Sequence, residues 1–250
     1  MVIMRLKTDS YALSSADYIK QKKNLQYQPP CAKILVMKTT STRHMQAVTY
    51  SHYGSSDTLT ISTVDQPALK PGCVLIKNFA SSINPIDWKI RSGHLRPLSG
   101  FKPPKRCGSD FAGEIIAIAD ATSPFKIGDK VYGFTNPIKG GGFAEYVVAN
   151  TKHIAPIPDK LDFIDAGVIP LAALTALDAL SGIANLQSGQ RVVINGCSGG
   201  VGTFAVQIAK ALGAHVIGVC SSSNHTLAHS LGADEILDYT TDNHLSGLSN

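Results

Sequence analysis

The residues best suited to chemistry lie between Val192 and Thr203. The stretch Val192-Val193-Ile194-Asn195-Gly196-Cys197-Ser198-Gly199-Gly200-Val201-Gly202-Thr203 carries an apolar run into a glycine-rich turn, and an Ala-bearing helical pattern follows. Glycines at 196, 199 and 202 allow a tight turn and let backbone N–H groups approach an anion. The start of a helix just beyond adds its partial positive charge. The spacing G-x-x-G-x-x-G is a variant of the dinucleotide fingerprint, so Ser198, Gly199, Gly200, Val201 and Gly202 are the expected pyrophosphate contacts. The plainer reading is a β–α turn in which glycine only eases packing. A strand before, a helix after and a second strand at the right distance favour the nucleotide.

Which dinucleotide fits is read at the end of that second strand, where an acid about 20 residues on would hold the ribose hydroxyls of NAD. Here the strand expected over 215–220 ends in Ser221-Ser222-Ser223-Asn224. No carboxylate in that run repels a 2′-phosphate and three hydroxyls can donate to one, so NADPH is expected over NADH. No Arg or Lys stands in 221–233 to add charge.

Two further groups could meet a substrate. Lys89 carries an ammonium that can stabilise a developing oxyanion in a dry cleft, although by residue type alone it reads as a solvated helix-face lysine. Asn84 precedes Pro85 and reads locally as a turn residue. The five cysteines, at 31, 73, 107, 197 and 220, include no C-x-x-C or zinc-ribbon spacing. That is the usage of a reduced protein without a disulfide framework. The histidines share no metal spacing either. No metal is expected.

The elements that must position these groups fall into two kinds. Short strands are expected over 74–79, 115–119, 130–134 and 143–148, separated by turn residues such as Lys70-Pro71-Gly72 and the glycine run 140–142. Such spacing suggests a small, partly closed β-barrel. From residue 161 the periodicity becomes helical, with two helices or one kinked helix around Pro170. Strand 191–195, helix 203–213, strand 215–220, helix 226–231 and strand 235–239 then give the βαβαβ order of a parallel, doubly wound sheet. Only one half of a dinucleotide fold is present, so its first strand is expected to leave one edge open, and the isolated chain to be poorly soluble or to oligomerise.

Charge separates the chain further. Residues 1–44 hold eight Lys/Arg against Asp9 and Asp17, a net of +6, whereas the whole chain is +5. The body is therefore near neutral, without the basic face that nucleic acid needs. No apolar run approaches the ~20 residues of a spanning helix. The leader lacks sustained periodicity and contains Pro29-Pro30; it reads as a tail outside the fold, with Met45 as the functional start. Its basic, Ser/Thr-bearing composition also suits an organellar transit peptide. The expected location is the cytoplasm, or an organelle under that second reading.

Several motifs agree, in order, with one superfamily. They are Met45-Gln46-Ala47-Val48, Ile83-Asn84-Pro85-Ile86-Asp87-Trp88-Lys89, Gly108-Ser109-Asp110-Phe111-Ala112-Gly113-Glu114, Gly140-Gly141-Gly142-Phe143-Ala144-Glu145-Tyr146 and the phosphate turn. From residue 45 to about 245 the chain resembles the medium-chain dehydrogenase/reductase superfamily, in its zinc-independent quinone oxidoreductase and enone reductase branch. The resemblance implies a GroES-like barrel over 45–160 and the first part of a Rossmann NADP-binding domain over 161–250, C-terminally truncated. It implies that Asn84 and Gly108-Ser109-Asp110 replace the zinc ligands of metal-dependent relatives. It places Lys89 and Asn84 beside the nicotinamide and substrate, Thr175 against the cofactor, and Tyr239 beside the adenine-ribose phosphate. Asp87 and Asp110 then order the local backbone. The implied activity is NADPH-dependent reduction of quinones or of the C=C bond of α,β-unsaturated carbonyls, by a homodimer when full length. The alternative is a catalytically silent nucleotide-binding or membrane-associated scaffold.

Overall fold

The computed structural model describes residues 3–5, 43–99 and 105–240. In chain order its strands and helices are β1 (Ile3–Arg5), β2 (His44–Tyr50), β3 (Leu59–Asp65), β4 (Cys73–Ala80), α1 (Pro85–Arg91), α2 (Arg96–Ser99), β5 (Lys105–Arg106), β6 (Asp110–Ile118), β7 (Lys130–Phe134), β8 (Tyr146–Asn150), β9 (Ile154–Pro156), α3 (Phe163–Gly167), α4 (Pro170–Leu177), β10 (Arg191–Asn195), α5 (Gly200–Ala211), β11 (His215–Cys220), α6 (His225–Ser230) and β12 (Glu235–Asp238).

The first part is built of two antiparallel sheets, ordered β3-β2-β5 and β8-β4-β6-β7-β9. Strand alternation sends every second side chain inward. Val74 and Ile76 of β4, Val147 and Ala149 of β8 and Val131 of β7 are thus buried together with Phe111 and Ile115 of β6. Each of the Val, Ile and Phe side chains so removed from water contributes about 1.5–3 kcal/mol. Gly113 lets β6 lie against β4, because a Cβ there would sit 2.1 Å from the Lys77 carbonyl oxygen.

The strand expected over 143–148 begins only at Tyr146. The three residues before it cross to the other sheet: Val48 N–H donates to Phe143 O at 2.8 Å and Glu145 N–H to Gln46 O at 3.1 Å. Ala144 bridges Ala47 between them. This crossing curls the two sheets into the GroES-like barrel.

The second part is the start of a Rossmann-type domain. β10, β11 and β12 pair in parallel, with Val192 opposite Val216 and Val219 opposite Leu237. α5 places Ala205, Val206 and Ala209 on the sheet, into a core with Val192, Ile194, Val216 and Leu180. α3 and α4 are separate helices, with Pro170 as the first residue of α4, where a missing N–H costs nothing. α4 continues into a π-helical turn, Asp178–Ile183.

One expectation is corrected here. The outer edge of β10 is not open, because β1 pairs with it antiparallel, Ile3 opposite Ile194 and Arg5 opposite Val192. A piece of the leader expected outside the fold therefore takes up backbone groups that an edge strand would leave unpaired. Residues 6–42 lie outside the described residues, and with them the readings of the leader as tail or transit peptide.

Candidate active site

The phosphate turn forms where β10 ends. Gly196 and Cys197 N–H both donate to Val219 O, at 2.9 and 3.1 Å, so the turn is tied to the neighbouring strand. Gly199 caps α5, whose ladder opens with Thr203 N–H donating to Gly199 O at 2.9 Å. The N–H groups of Gly200, Val201 and Gly202 come before that ladder and are available to a ligand. A Cβ at Gly200 would meet nothing within 4 Å, which marks open space over the backbone. At Gly202 the requirement is opposite: a Cβ there would lie 2.0 Å from Gly196 O, so this glycine packs turn against helix. An anion-sized cradle of bare backbone fits the pyrophosphate of a dinucleotide.

The serines expected to face the ribose lie at the end of β11. Ser221 Oγ lies 3.1 Å from Ser223 Oγ and accepts from Asn224 Nδ2 at 3.0 Å; Ser222 is exposed. Beside them lies a carboxylate that local spacing did not reveal. Asp238, the last residue of β12, is the register partner of Cys220. Its Oδ1 accepts from Thr240 N–H at 2.8 Å and Thr240 Oγ1 at 2.6 Å, and its Oδ2 lies 3.6 Å from His225 Nε2. Those bonds from Thr240, followed by the nearby His225 and a bond from Ser222 N–H, hold the Asp238 carboxyl below its ordinary value. Tyr239 follows at the surface, half-exposed.

On the barrel side the polar centre is Asp110, completely buried at the start of β6. Its Oδ2 accepts from Ser82 Oγ at 2.6 Å and from Asn84 Nδ2 at 2.8 Å; its Oδ1 accepts from Leu171 N–H at 3.0 Å. Asn84 is buried and caps α1, where its N–H donates to Asp87 Oδ2 at 2.7 Å. Ser109 Oγ donates to the other oxygen of Asp87 at 2.7 Å. Burial pushes both carboxyls up, partly offset by these donors, and the nearby charge of Asp87 pushes Asp110 a little further. The network joins the Asn84 turn to the first turn of α4, and α4 packs on α5.

Thr175 stands on the exposed side of α4, its Oγ1 donating to Leu171 O at 2.6 Å. Lys89 stands on the exposed side of α1 with its ammonium 5.7 Å from the Trp88 ring centroid. The structure thus gathers Asn84, Asp110 and the start of α4 into one cluster, and Ser221, Ser223 and Asp238 into another. Cys197, inside the phosphate turn, is fully buried, and burial followed by a hydrogen bond with the Cys220 thiol pushes its own thiol up to about 12. Among the described residues no three His, Cys, Asp or Glu side chains converge as a metal would require.

Comparison with known proteins agrees with this architecture. Residues 70–159 match the family described as "Alcohol dehydrogenase GroES-like domain", and residues 200–248 the one described as "Zinc-binding dehydrogenase". Over 203 residues the chain is 42% identical to "Quinone-oxidoreductase homolog, chloroplastic" of Spinacia oleracea, covering 79% of this chain and 62% of that protein. It is 36% identical over 228 residues to the mitochondrial "NAD(P)H oxidoreductase RTN4IP1" of Bos taurus, covering 83% of this chain and 57% of that protein. The solved quinone oxidoreductase of Coxiella burnetii superposes with a TM-score of 0.73 at 32% identity, over 83% of this chain and 66% of that one. The chain thus spans less than two thirds of the length of these relatives. By its two domains, its motifs and these matches, the chain belongs to the medium-chain dehydrogenase/reductase superfamily, alongside the quinone oxidoreductase homologues.

Proposed function

We propose that the chain is the barrel and first nucleotide-binding half of an NADPH-dependent oxidoreductase that reduces quinones or the C=C bond of enones without zinc. The observation that carries this reading is the bare-backbone cradle at the head of α5, with hydroxyls at the end of the adjacent strand β11. The dinucleotide, when bound, would supply a hydride to the substrate, and solvent would supply the proton that completes the reduction.

The chain's own residues hold and stabilise. The N–H groups of Ser198, Gly200, Val201 and Gly202 receive the pyrophosphate, while Gly199, whose own N–H is engaged with Gly196 O at 3.0 Å, shapes the turn as the cap of α5; Ser221, Ser222, Ser223 and Tyr239 receive the adenosine end; Thr175 lines the path between. Lys89 donates to the enolate oxygen, where an ammonium is worth most once water is excluded. Asn84, locked by Asp110 and Ser82, offers a fixed amide to the nicotinamide or substrate. Zinc independence is supported by Asn84 and Ser109 standing where metal-dependent relatives place their ligands. No helix among the described residues is long and apolar enough to cross a membrane. The full-length protein is a homodimer under this reading, and the chloroplastic and mitochondrial names of its relatives favour an organelle over the cytoplasm.

The test is NADPH binding by fluorescence and NADPH oxidation with a quinone and with an enone, with and without a chelator. Turnover that survives chelation and falls at least tenfold in kcat in Lys89→Ala, with the NADPH Kd unchanged, is expected. NADPH binding with no turnover on either substrate class favours the silent scaffold instead.

A further inference from the structure

We propose that His225 and Asp238 act as one titrating unit whose charge sets the preference for a 2′-phosphorylated dinucleotide. The proposal deepens the dinucleotide reading above and rests on it.

By its own sequence the end of β11 looks free of acid, since Ser221, Ser222 and Ser223 occupy the place where an NAD-type site carries a carboxylate. The parallel pairing of β12 changes that. It sets Asp238 opposite Cys220, one residue before the serines, and Ser222 N–H donates to its carboxylate. A carboxylate therefore stands at the 2′ side after all, supplied by the third strand instead of the second. Alone it would repel a 2′-phosphate, which carries about −1.5 to −2 at neutral pH if it titrates like other phosphomonoesters.

The compensating group is His225, the first residue of α6. Its Nε2 is buried, has no hydrogen-bond partner, and lies 3.6 Å from Asp238 Oδ2. A buried polar atom without a partner is uncommon enough to need a reason. Protonated, it becomes a donor 3.6 Å from the Asp238 carboxylate, and the pair is neutral. Deprotonated, the pair carries −1 beside the ribose. The other titratable groups on the packed elements are His215 and Cys220 on β11, Glu235 on β12, Tyr239 just past β12 and His229 one turn along α6, whose Nδ1 lies 3.1 Å from Ala233 O; Glu235 sits at the opposite end of β12, bound to Arg191 and His215. None of these places a second acid on the unit. Because Nε2 is buried, the imidazole acts through Asp238: it is a positioning and charge-compensating residue, not a phosphate ligand.

The discriminating probes are adenosine 2′,5′-bisphosphate and 5′-AMP, which differ only in the 2′-phosphate, titrated calorimetrically into the 250-residue chain from pH 5.5 to 8.5. The ratio of their Kd values should favour the bisphosphate at pH 5.5 and fall by about tenfold toward pH 8.5. Asp238→Asn should hold the preference high at pH 8, and His225→Gln should show at pH 6 the weak preference the parent shows at pH 8. The phosphate's own titration is common to all three proteins, so the differences between them belong to the pair. Histidine C–H proton shifts followed by NMR over the same pH range give a second readout: the pH profile of the His225 signal should change in Asp238→Asn. Parallel pH curves for the parent and Asp238→Asn would overturn the proposal while leaving the dinucleotide site standing. Failure of both nucleotides and of NADPH to bind at any pH would overturn the dinucleotide reading itself, and this proposal with it.

Discussion

Replacing Asp110 by Asn tests whether the buried carboxylate clasps the Asn84 turn to α4. The substitution keeps shape and removes one acceptor. The introduced side chain can still accept from Leu171 N–H through its carbonyl oxygen. Its amide nitrogen then faces Ser82 Oγ and Asn84 Nδ2, which in the parent donate to Asp110 at 2.6 and 2.8 Å. The Ser82 hydroxyl can rotate; the Asn84 amide is held in the capped turn and loses the shorter of its two acceptors, keeping only Ser82 Oγ at 3.2 Å. A buried donor left unsatisfied costs about 1–3 kcal/mol, and weakening a charge-assisted bond to Leu171 costs about 1 more. Relief of a desolvated charge beside Asp87 returns part of this, leaving a net loss of about 2 kcal/mol. For a domain pair of this size that lowers Tm by about 4–8 °C at neutral pH. The pH dependence carries a sign. Burial raises the Asp110 carboxyl in the folded state, so its contribution to stability is fully present below the unfolded value of about 3.9 and is lost as pH rises through the raised folded value. Asn does not titrate, so the deficit of the variant should be larger at pH 4.5 than at pH 7.5. Thermal unfolding followed by circular dichroism at both pH values is the assay. A Tm unchanged at both, or a deficit that grows with pH, would refute the clasp.

Two glycines of the phosphate turn should behave oppositely. Gly202→Ala forces a Cβ to within 2.0 Å of Gly196 O and should lose about 1–3 kcal/mol of stability together with nucleotide affinity. Gly200→Ala meets nothing within 4 Å in the protein and should keep its Tm while NADPH affinity drops, because the methyl enters the ligand's space; Tm and NADPH Kd measured on both variants decide it. Iodoacetamide at pH 8 should label half-buried Cys73 in the native protein well before buried Cys107 or Cys197, whose thiols burial pushes up to about 11 and about 12. Peptide mass spectrometry after timed quenching reads the order, and early labelling of Cys197 would show that the turn opens.

Much of the dinucleotide half was legible in the sequence because its signals are local. The strands at 191–195 and 215–220 have the expected boundaries. Each is a short apolar run between turn residues, and contiguous glycines specify the turn between β10 and α5 whatever else surrounds them. Helix α5 starts three residues before the expected 203, since the apolar periodicity appears only once the chain has left the turn, whereas its backbone is already helical at Gly200. In the barrel, β4 and β7 were readable as short strands set off by turn residues. The segment 143–145 was misread, because its pairing with β2 depends on residues nearly a hundred positions away and leaves no local mark.

The order of elements, the glycine turn and the residue types available for chemistry all depend on neighbours within a few positions, and the linear chain carries them in full. Which of those residues meet is a property of the folded molecule alone. Parallel register set Asp238 of β12 beside the serines after β11, and the approach of α4 to the barrel gave Asp110 its third donor, Leu171 N–H. The pairing of β1 with β10 likewise joins segments almost 190 positions apart. Each of these contacts is made only after long loops have closed, so the free energy that selects it comes from the packed whole and not from the pattern of any single segment.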